Sequence, residues 1–389
     1  MNESQSDLIQ RIHASEHHAV VAVTGGGSRA VADLLAVPGA SRTVLEAVVP
    51  YSSTSLAEWL HGRPEQFCSP ATARQMAMAA YRRGVHLRRA ERPEIDPIFA
   101  PWPVVGLGCT ASLLSDRPKR GPHRVHLAAQ TASATIVRSL ELTKEARARV
   151  EEERVVAALI IDLIAEACEV GERPPVHLLP GETVAAHRTD APPEWQDLLA
   201  GESARTSVRP GFAWRDDPPR AVFPGSFHPL HAGHLRMAEI AAAKLGVPVD
   251  FELSIENVEK PPLDFEEMTS RATQFSNETR IWFTRAPRMT QKAGLFPEAT
   301  IVCGIDTLLR VADPRFAAGS EATRDQDIAQ IANLGCRFLV FGRQTPRGFE
   351  TLDNVSIPEA LRRISTGVPE SEFREDVCST DVRKMMNDE

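Results

Sequence analysis

Ten consecutive residues, Gly225-Ser226-Phe227-His228-Pro229-Leu230-His231-Ala232-Gly233-His234, limit what this chain can fold into more than any other stretch. A short apolar run, Ala221 to Phe223, leads into them, and a helical pattern from Ala232 to Leu245 leads out. Strand, glycine turn and helix in that order open an α/β unit. The free amides of the helix end and its partial positive charge make an anion site. His231 and His234 stand three residues apart in the first helical turn, where imidazoles can donate to phosphate oxygens as charge develops. Gly225 and Gly233 carry no β-carbon, so backbone or ligand can approach closely. Such a pair can also bind zinc, but no third ligand is apparent nearby. The agreement of strand, turn, histidine pair and helix points to phosphate chemistry.

The chain around this motif has 389 residues, enough for about two or three domains at roughly 150 residues each. Acidic residues outnumber basic ones, 52 to 44, for a net charge of −8, which argues against a nucleic-acid partner. The six cysteines are widely scattered and read as reduced thiols of a cytoplasmic protein. The most apolar stretch, Val155 to Ile161, stops at Asp162, far short of the ~20 residues of a membrane span. The N-terminus has no basic region leading into an apolar core, so a secretion signal is not expected.

Strand and helix patterns alternate in two blocks, which predicts two α/β layered domains. The first, 1–170, begins with a strand at Ala19 to Val23 that enters the turn Thr24-Gly25-Gly26-Gly27-Ser28. A helix over Arg29 to Leu35, a strand at Val44 to Val49 and a helix over Ser69 to Arg83 follow. Pro103 to Gly108 and Arg124 to Thr131 are further strand candidates, and Lys144 to Glu169 a long closing helix. Gly106-Leu107-Gly108-Cys109-Thr110-Ala111 has dinucleotide spacing but no acidic residue about 20 positions on, so a tight turn against a ligand is expected. Residues 171–219 hold eight of the 29 prolines and read as a linker with a small hairpin and a short helix. The last block, 220–389, has strand patterns at Ala221 to Phe223, Pro248 to Ser254, Thr300 to Cys303 and Arg337 to Gly342.

The ten-residue motif resembles the signature of the nucleotidylyltransferase superfamily, and the resemblance extends over about Arg220 to Lys384. Gly304-Ile305-Asp306 looks like that family's Gly-x-Asp element. Ser379-Thr380-Asp381-Val382-Arg383 looks like its Ser-Thr-x-x-Arg element, which holds the β- and γ-phosphates. Lys260 resembles a mobile-loop lysine of the nicotinate and nicotinamide mononucleotide adenylyltransferases. Asp306, Ser379 and Thr380 also suit helix caps, and Lys260 a solvated loop charge. The resemblance implies a Rossmann-like fold with a parallel sheet. It implies a nucleotide site of Gly225, Ser226, Phe227, His228, Gly233, Lys260, Gly304, Asp306, Ser379 and Thr380. It gives catalytic roles to His231, His234 and Arg383, with Mg2+ accompanying ATP. The family usually has Asp or Asn where this chain has His228, which bears on the choice of phosphorylated acceptor.

The segments Thr24 to Ser28, Leu34 to Ser41, Val48 to Ser53, Ser69 to Met78 and Val105 to Ser112 resemble another family. This is the nicotinamide-nucleotide amidohydrolase family, the C-terminal domain of competence-damage-inducible protein A. That family uses a serine nucleophile, a tyrosine and a lysine. Thr24 falls at the nucleophile position and Tyr51 at the tyrosine, but Leu56 stands where the lysine is expected. The resemblance implies a ligand site of Thr24, Gly25, Gly26, Gly27, Ser28, Tyr51, Gly106 and Gly108 that has lost hydrolysis. Both resemblances point to a pyridine mononucleotide. The alternatives are an active amidase fused to the transferase, a cytidylyl- or pantetheine-phosphate-type transferase, and a nucleotide-binding regulator without turnover. The sequence leaves open whether the chain forms a homo-oligomer.

Overall fold

The computed structural model describes residues 3–92, 102–116, 120–207, 218–257, 261–317, 319–345 and 348–374. The chain divides into two compact units. One runs as far as Glu202 and takes in Asn257–Glu267; the other begins at Ser203. Residues 171–219, expected as a linker, supply a strand and a helix to the first unit and a strand to the second.

The first unit opens with α1 (Glu3–Ala14), β1 (His18–Thr24), α2 (Ser28–Ala36), α3 (Ala40–Thr43) and β2 (Val44–Val48). It continues with α4 (Ser53–Trp59), α5 (Pro70–Glu91), β3 (Val104–Ser112), β4 (His123–Gln130) and β5 (Ala134–Leu142). It closes with α6 (Arg149–Ala167), β6 (Ala185–Asp190) and α7 (Pro193–Ala200). The sheet order is β2-β1-β3-β4-β5-β6, parallel across the first three strands and antiparallel across the rest. Alternation along β1 sends Ala19, Val21 and Val23 to a core shared with α1, α2 and α6, while Ala22 meets Met76 of α5 on the other face. The unit is therefore a sheet between two helical layers.

Gly106 and Gly108 depart from expectation. They sit inside β3, hydrogen-bonded to strands on both sides, and form no turn. A β-carbon on Gly106 would lie 2.2 Å from the Ala77 carbonyl oxygen, and one on Gly108 2.2 Å from that of Ala73. Both glycines serve the close seating of α5 on the sheet, which removes them from the candidate ligand site.

The second unit begins with β7 (Arg205–Ser207), β8 (Ala221–Pro224), α8 (Ala232–Leu245) and β9 (Asp250–Ser254). Next come α9 (Phe265–Ala272, whose first residues count with the first unit), β10 (Ile281–Thr284), α10 (Met289–Leu295), β11 (Thr300–Gly304) and α11 (Ile305–Ala312). Last are α12 (Glu321–Asn333), β12 (Arg337–Phe341), the small hairpin β13 (Arg343–Thr345) and β14 (Gly348–Glu350), α13 (Glu359–Arg363) and β15 (Ser365–Val368). The main sheet runs β15-β12-β11-β8-β9-β10-β7, and every pairing is parallel except that of β7 with β10. From β8 the chain builds outward through β9 and β10, then returns to build β11, β12 and β15 on the other side. The strand order therefore reverses between β8 and β11, and ligands of open α/β sheets bind at such a point, beyond the carboxyl ends of the strands. This is the Rossmann-like α/β arrangement expected for the C-terminal block.

Candidate active site

The turn after β8 is built around Phe227. Its ring is 1% exposed and meets Phe223, Phe251 and Phe275 at centroid distances of 5.4, 5.2 and 5.6 Å. Burying a phenylalanine this fully stabilises by about 1.5–3 kcal/mol, enough to hold the residue at a positive φ of 44°. The ring lies over Gly225, where a β-carbon would fall 2.6 Å from Phe227 Cζ. Glycine is thus required there by the turn itself. The Phe227 side chain belongs to the core, which corrects its expected role in nucleotide contact. Ser226 on one side is exposed and His228 on the other is half-buried.

His231 is the N-cap of α8 and His234 lies one turn inside it. Their rings stack at 3.7 Å and 25°, and the edge of Phe227 meets His234 at 5.1 Å. The backbone N–H of His231 donates to Nδ1 of His234 at 3.4 Å. That bond places the His234 proton on Nε2, which leaves an N–H donor on the far side of the ring. Burial, with a smaller contribution from His231, pushes the pKa of His234 down to about 4. The ring is therefore neutral at pH 7. Gly233, between the two histidines, is buried in the first turn.

Across the switch point, Gly304 ends β11 and Asp306 lies in the first turn of α11. A β-carbon on Gly304 would lie 2.7 Å from Asp306 Oδ1, so the carboxylate folds back over the strand end. Asp306 pairs with Arg343 at 3.5 Å, and both side chains are about half exposed. Gly304 and Phe341 are register partners, so Arg343 follows the neighbouring strand's end. Sequence reading missed Arg343, although it lies just beyond the strand run Arg337 to Gly342. It also missed Arg271 and Gln274, which bond to the turn backbone from more than forty positions away. No local pattern marks them. The structure thus brings Gly225, Ser226, His228, His231, Gly233, His234, Gly304 and Asp306 to the carboxyl edge of one sheet. Lys260, Ser379, Thr380 and Arg383 lie outside the described residues.

In the first unit, Thr24 ends β1 and its hydroxyl donates to the Pro50 carbonyl at 3.0 Å. Gly25 and Gly27 have positive φ, 74° and 94°. Part of the turn is taken by the chain's own carboxylate. Gly27 N–H and Arg29 N–H donate to Glu153 Oε1 at 2.8 and 3.1 Å, and the Ser28 hydroxyl does so at 3.2 Å. Arg149 donates to the Gly25 carbonyl at 2.9 Å, and a β-carbon on Gly26 would meet the Leu113 side chain at 2.6 Å. Tyr51 is 69% exposed, whereas Leu56 is packed in the core. This turn is covered by Glu153 and Arg149 of α6, contrary to the ligand site that the resemblance implies.

Residues 222–385 match the cytidylyltransferase-like family. The matched range is thus a cytidylyltransferase-like domain at the C-terminal side of the chain, and the histidine pair and Gly304-Ile305-Asp306 lie inside it. Among solved structures, the competence/damage inducible protein CihA from Agrobacterium tumefaciens is similar at 17% identity, over 43% of this chain and 97% of that one, with a TM-score of 0.33. A competence or damage-inducible protein from Enterobacter asburiae is similar at 15% identity, over 43% of this chain and 98% of that one, with a TM-score of 0.31. A competence-damaged protein (CinA) superfamily member from Escherichia coli is similar at 16% identity, over 43% and 86%, with a TM-score of 0.29. No curated protein matches the chain. No described helix is long and apolar enough to cross a membrane, and no group of three metal-binding side chains occurs among the described residues.

Proposed function

We propose that the second unit moves a nucleoside monophosphate from ATP to a phosphomonoester acceptor, a pyridine mononucleotide, and releases pyrophosphate. The observation that carries this reading is the stacked His231–His234 pair at the head of α8, beside the point where the strand order reverses. An oxygen of the acceptor phosphate attacks the α-phosphorus, the α–β bridging P–O bond breaks, and its electron pair leaves with pyrophosphate. No proton has to move and no protein nucleophile is needed, so catalysis rests on positioning and charge stabilisation.

The neutral His234 donates from Nε2–H to a non-bridging α-phosphate oxygen as negative charge builds there. His231 and the first free amides of α8 face the same group. By the resemblance, Ser379, Thr380 and Arg383 hold the β- and γ-phosphates, and Lys260 belongs to the nucleotide site. Asp306, whose carboxylate folds back over Gly304, accepts from nucleoside hydroxyls. Magnesium enters as part of the triphosphate substrate. The pyridine acceptor and ATP draw on the sequence resemblances. The first unit serves as a degenerate amidase-like partner in which Leu56 leaves the Thr24 hydroxyl without a base.

Cytidylyl transfer is the second reading, favoured by the family that residues 222–385 match. Nucleoside triphosphates paired with phosphorylated acceptors, with products weighed by mass spectrometry, separate the two. Product with ATP and nicotinamide or nicotinate mononucleotide supports the first, and product with CTP supports the second. Nucleotide binding without pyrophosphate release in any pair makes the chain a regulator and overturns both.

A further inference from the structure

Two side chains outside the motif hold the backbone of the turn that carries it. Arg271, in the last turn of α9, donates from Nη1 to the Ser226 carbonyl at 3.0 Å. Gln274 does more. Its Nε2 donates to the Phe227 carbonyl at 3.1 Å, and its Oε1 accepts the Leu230 N–H at 2.8 Å. One planar amide thereby spans both ends of the His228–Pro229 pair. The adjacent Phe275 packs edge-on against Phe227 at 5.6 Å, so the segment behind the turn grips it by ring and by backbone.

We propose that Gln274 is a positioning residue of this site: it fixes the span from Phe227 to Leu230 and so sets where His228 and His231 stand before α8. The proposal rests on the nucleotidyl-transfer reading. Phe227 anchors the turn on its buried side, while residues 228–231 are only half-buried. Without Gln274, the Phe227 carbonyl and Leu230 amide turn to water, and the span between them gains freedom. A primary amide suits the task because it offers a donor and an acceptor on one rigid group. A carboxylate keeps the bond from Leu230 but repels the Phe227 carbonyl, and a methyl group loses both bonds. Gln274 itself is exposed, so its removal takes little packing from the fold.

The test compares the full chain with Gln274→Glu and Gln274→Ala. It measures kcat and KM by pyrophosphate release, hydrogen exchange of the peptide containing residues 226–231, and Tm. Exchange is expected to quicken from wild type to Gln274→Glu to Gln274→Ala. The kcat of Gln274→Ala falls by roughly tenfold, the scale of a lost hydrogen bond. KM for the triphosphate and Tm stay near their wild-type values. Faster exchange with an unchanged kcat overturns the positioning role, and unchanged exchange overturns the clamp. A loss of kcat accompanied by a large fall in Tm assigns Gln274 to the fold instead. A wild-type chain that exchanges slowly at 226–231 but releases no pyrophosphate overturns the transfer reading while leaving the clamp itself observed.

Discussion

At His234 two effects oppose each other. A positive imidazole attracts phosphate more strongly, yet Phe227, Phe223 and His231 crowd the ring and favour the neutral form. Burial wins, and the pKa falls to about 4. Titrating the histidine ring protons by NMR should place His234 near this value in the free protein, and His231→Ala should move it upward by removing a neighbouring charge. A midpoint near the ordinary 6.5 would show the ring to be solvated. The place of His234 at the head of α8 was legible in the sequence because the motif fixes it within one helical turn. Its protonation state was not, because three of the groups that set it reach the ring only through the folded turn. Gly225 gives a second expectation. Gly225→Ala drives a methyl group into the Phe227 ring, and overpacking of this kind costs about 1–3 kcal/mol. A lowered Tm and lowered transfer should appear together, and an unchanged Tm would contradict the packing described for the turn.

Elements show where sequence reading stops. The alternation of β8, α8, β9 and β11 was plain from apolar runs and breakers, whereas β10 was missed and β15, a Ser-Thr-Gly-Val run with one buried residue, has no apolar pattern to mark it. Gly106 and Gly108 mark the limit best. Their spacing resembles a ligand turn, but they serve the approach of α5, which sequence separation hides. Gly106→Ala should destabilise the first unit by more than 3 kcal/mol, because its β-carbon would meet the backbone of α5 at Ala77 and Tyr81 rather than a movable side chain. Denaturant unfolding measures this, and a change below 1 kcal/mol would contradict the seating of the helix. The turn at Gly25 to Ser28 was found correctly as a turn, but the carboxylate that fills it comes from Glu153, over a hundred residues later. Inorganic phosphate should therefore not bind there in the wild-type chain. Calorimetry that shows phosphate binding at this turn with Glu153 intact would contradict its closure.

The molecule as a whole joins two α/β units, and its histidines link its stability to pH. Burial lowers the pKa of His13, His17 and His18, and brings His126 and His234 each to about 4. In the unfolded chain these rings protonate near 6.5, so between about 6.5 and 4 the unfolded state binds more protons than the folded one. Stability is therefore retained above pH 6.5 and lost as the pH falls through the folded values. Tm should drop steadily from pH 7 to 4.5, and a flat profile would contradict the burial of these rings. Nucleotidyl transfer at the His231–His234 pair is tested by pyrophosphate release from the full chain and from His234→Ala, with ATP and a pyridine mononucleotide and the product identified by mass. A dinucleotide product is expected from the wild type, with a loss of about 10²–10³-fold in the variant, the scale for removing one donor at developing charge. Absence of product from the wild type would rule out the proposed transfer, and a variant within a few-fold of wild type would remove His234 from it.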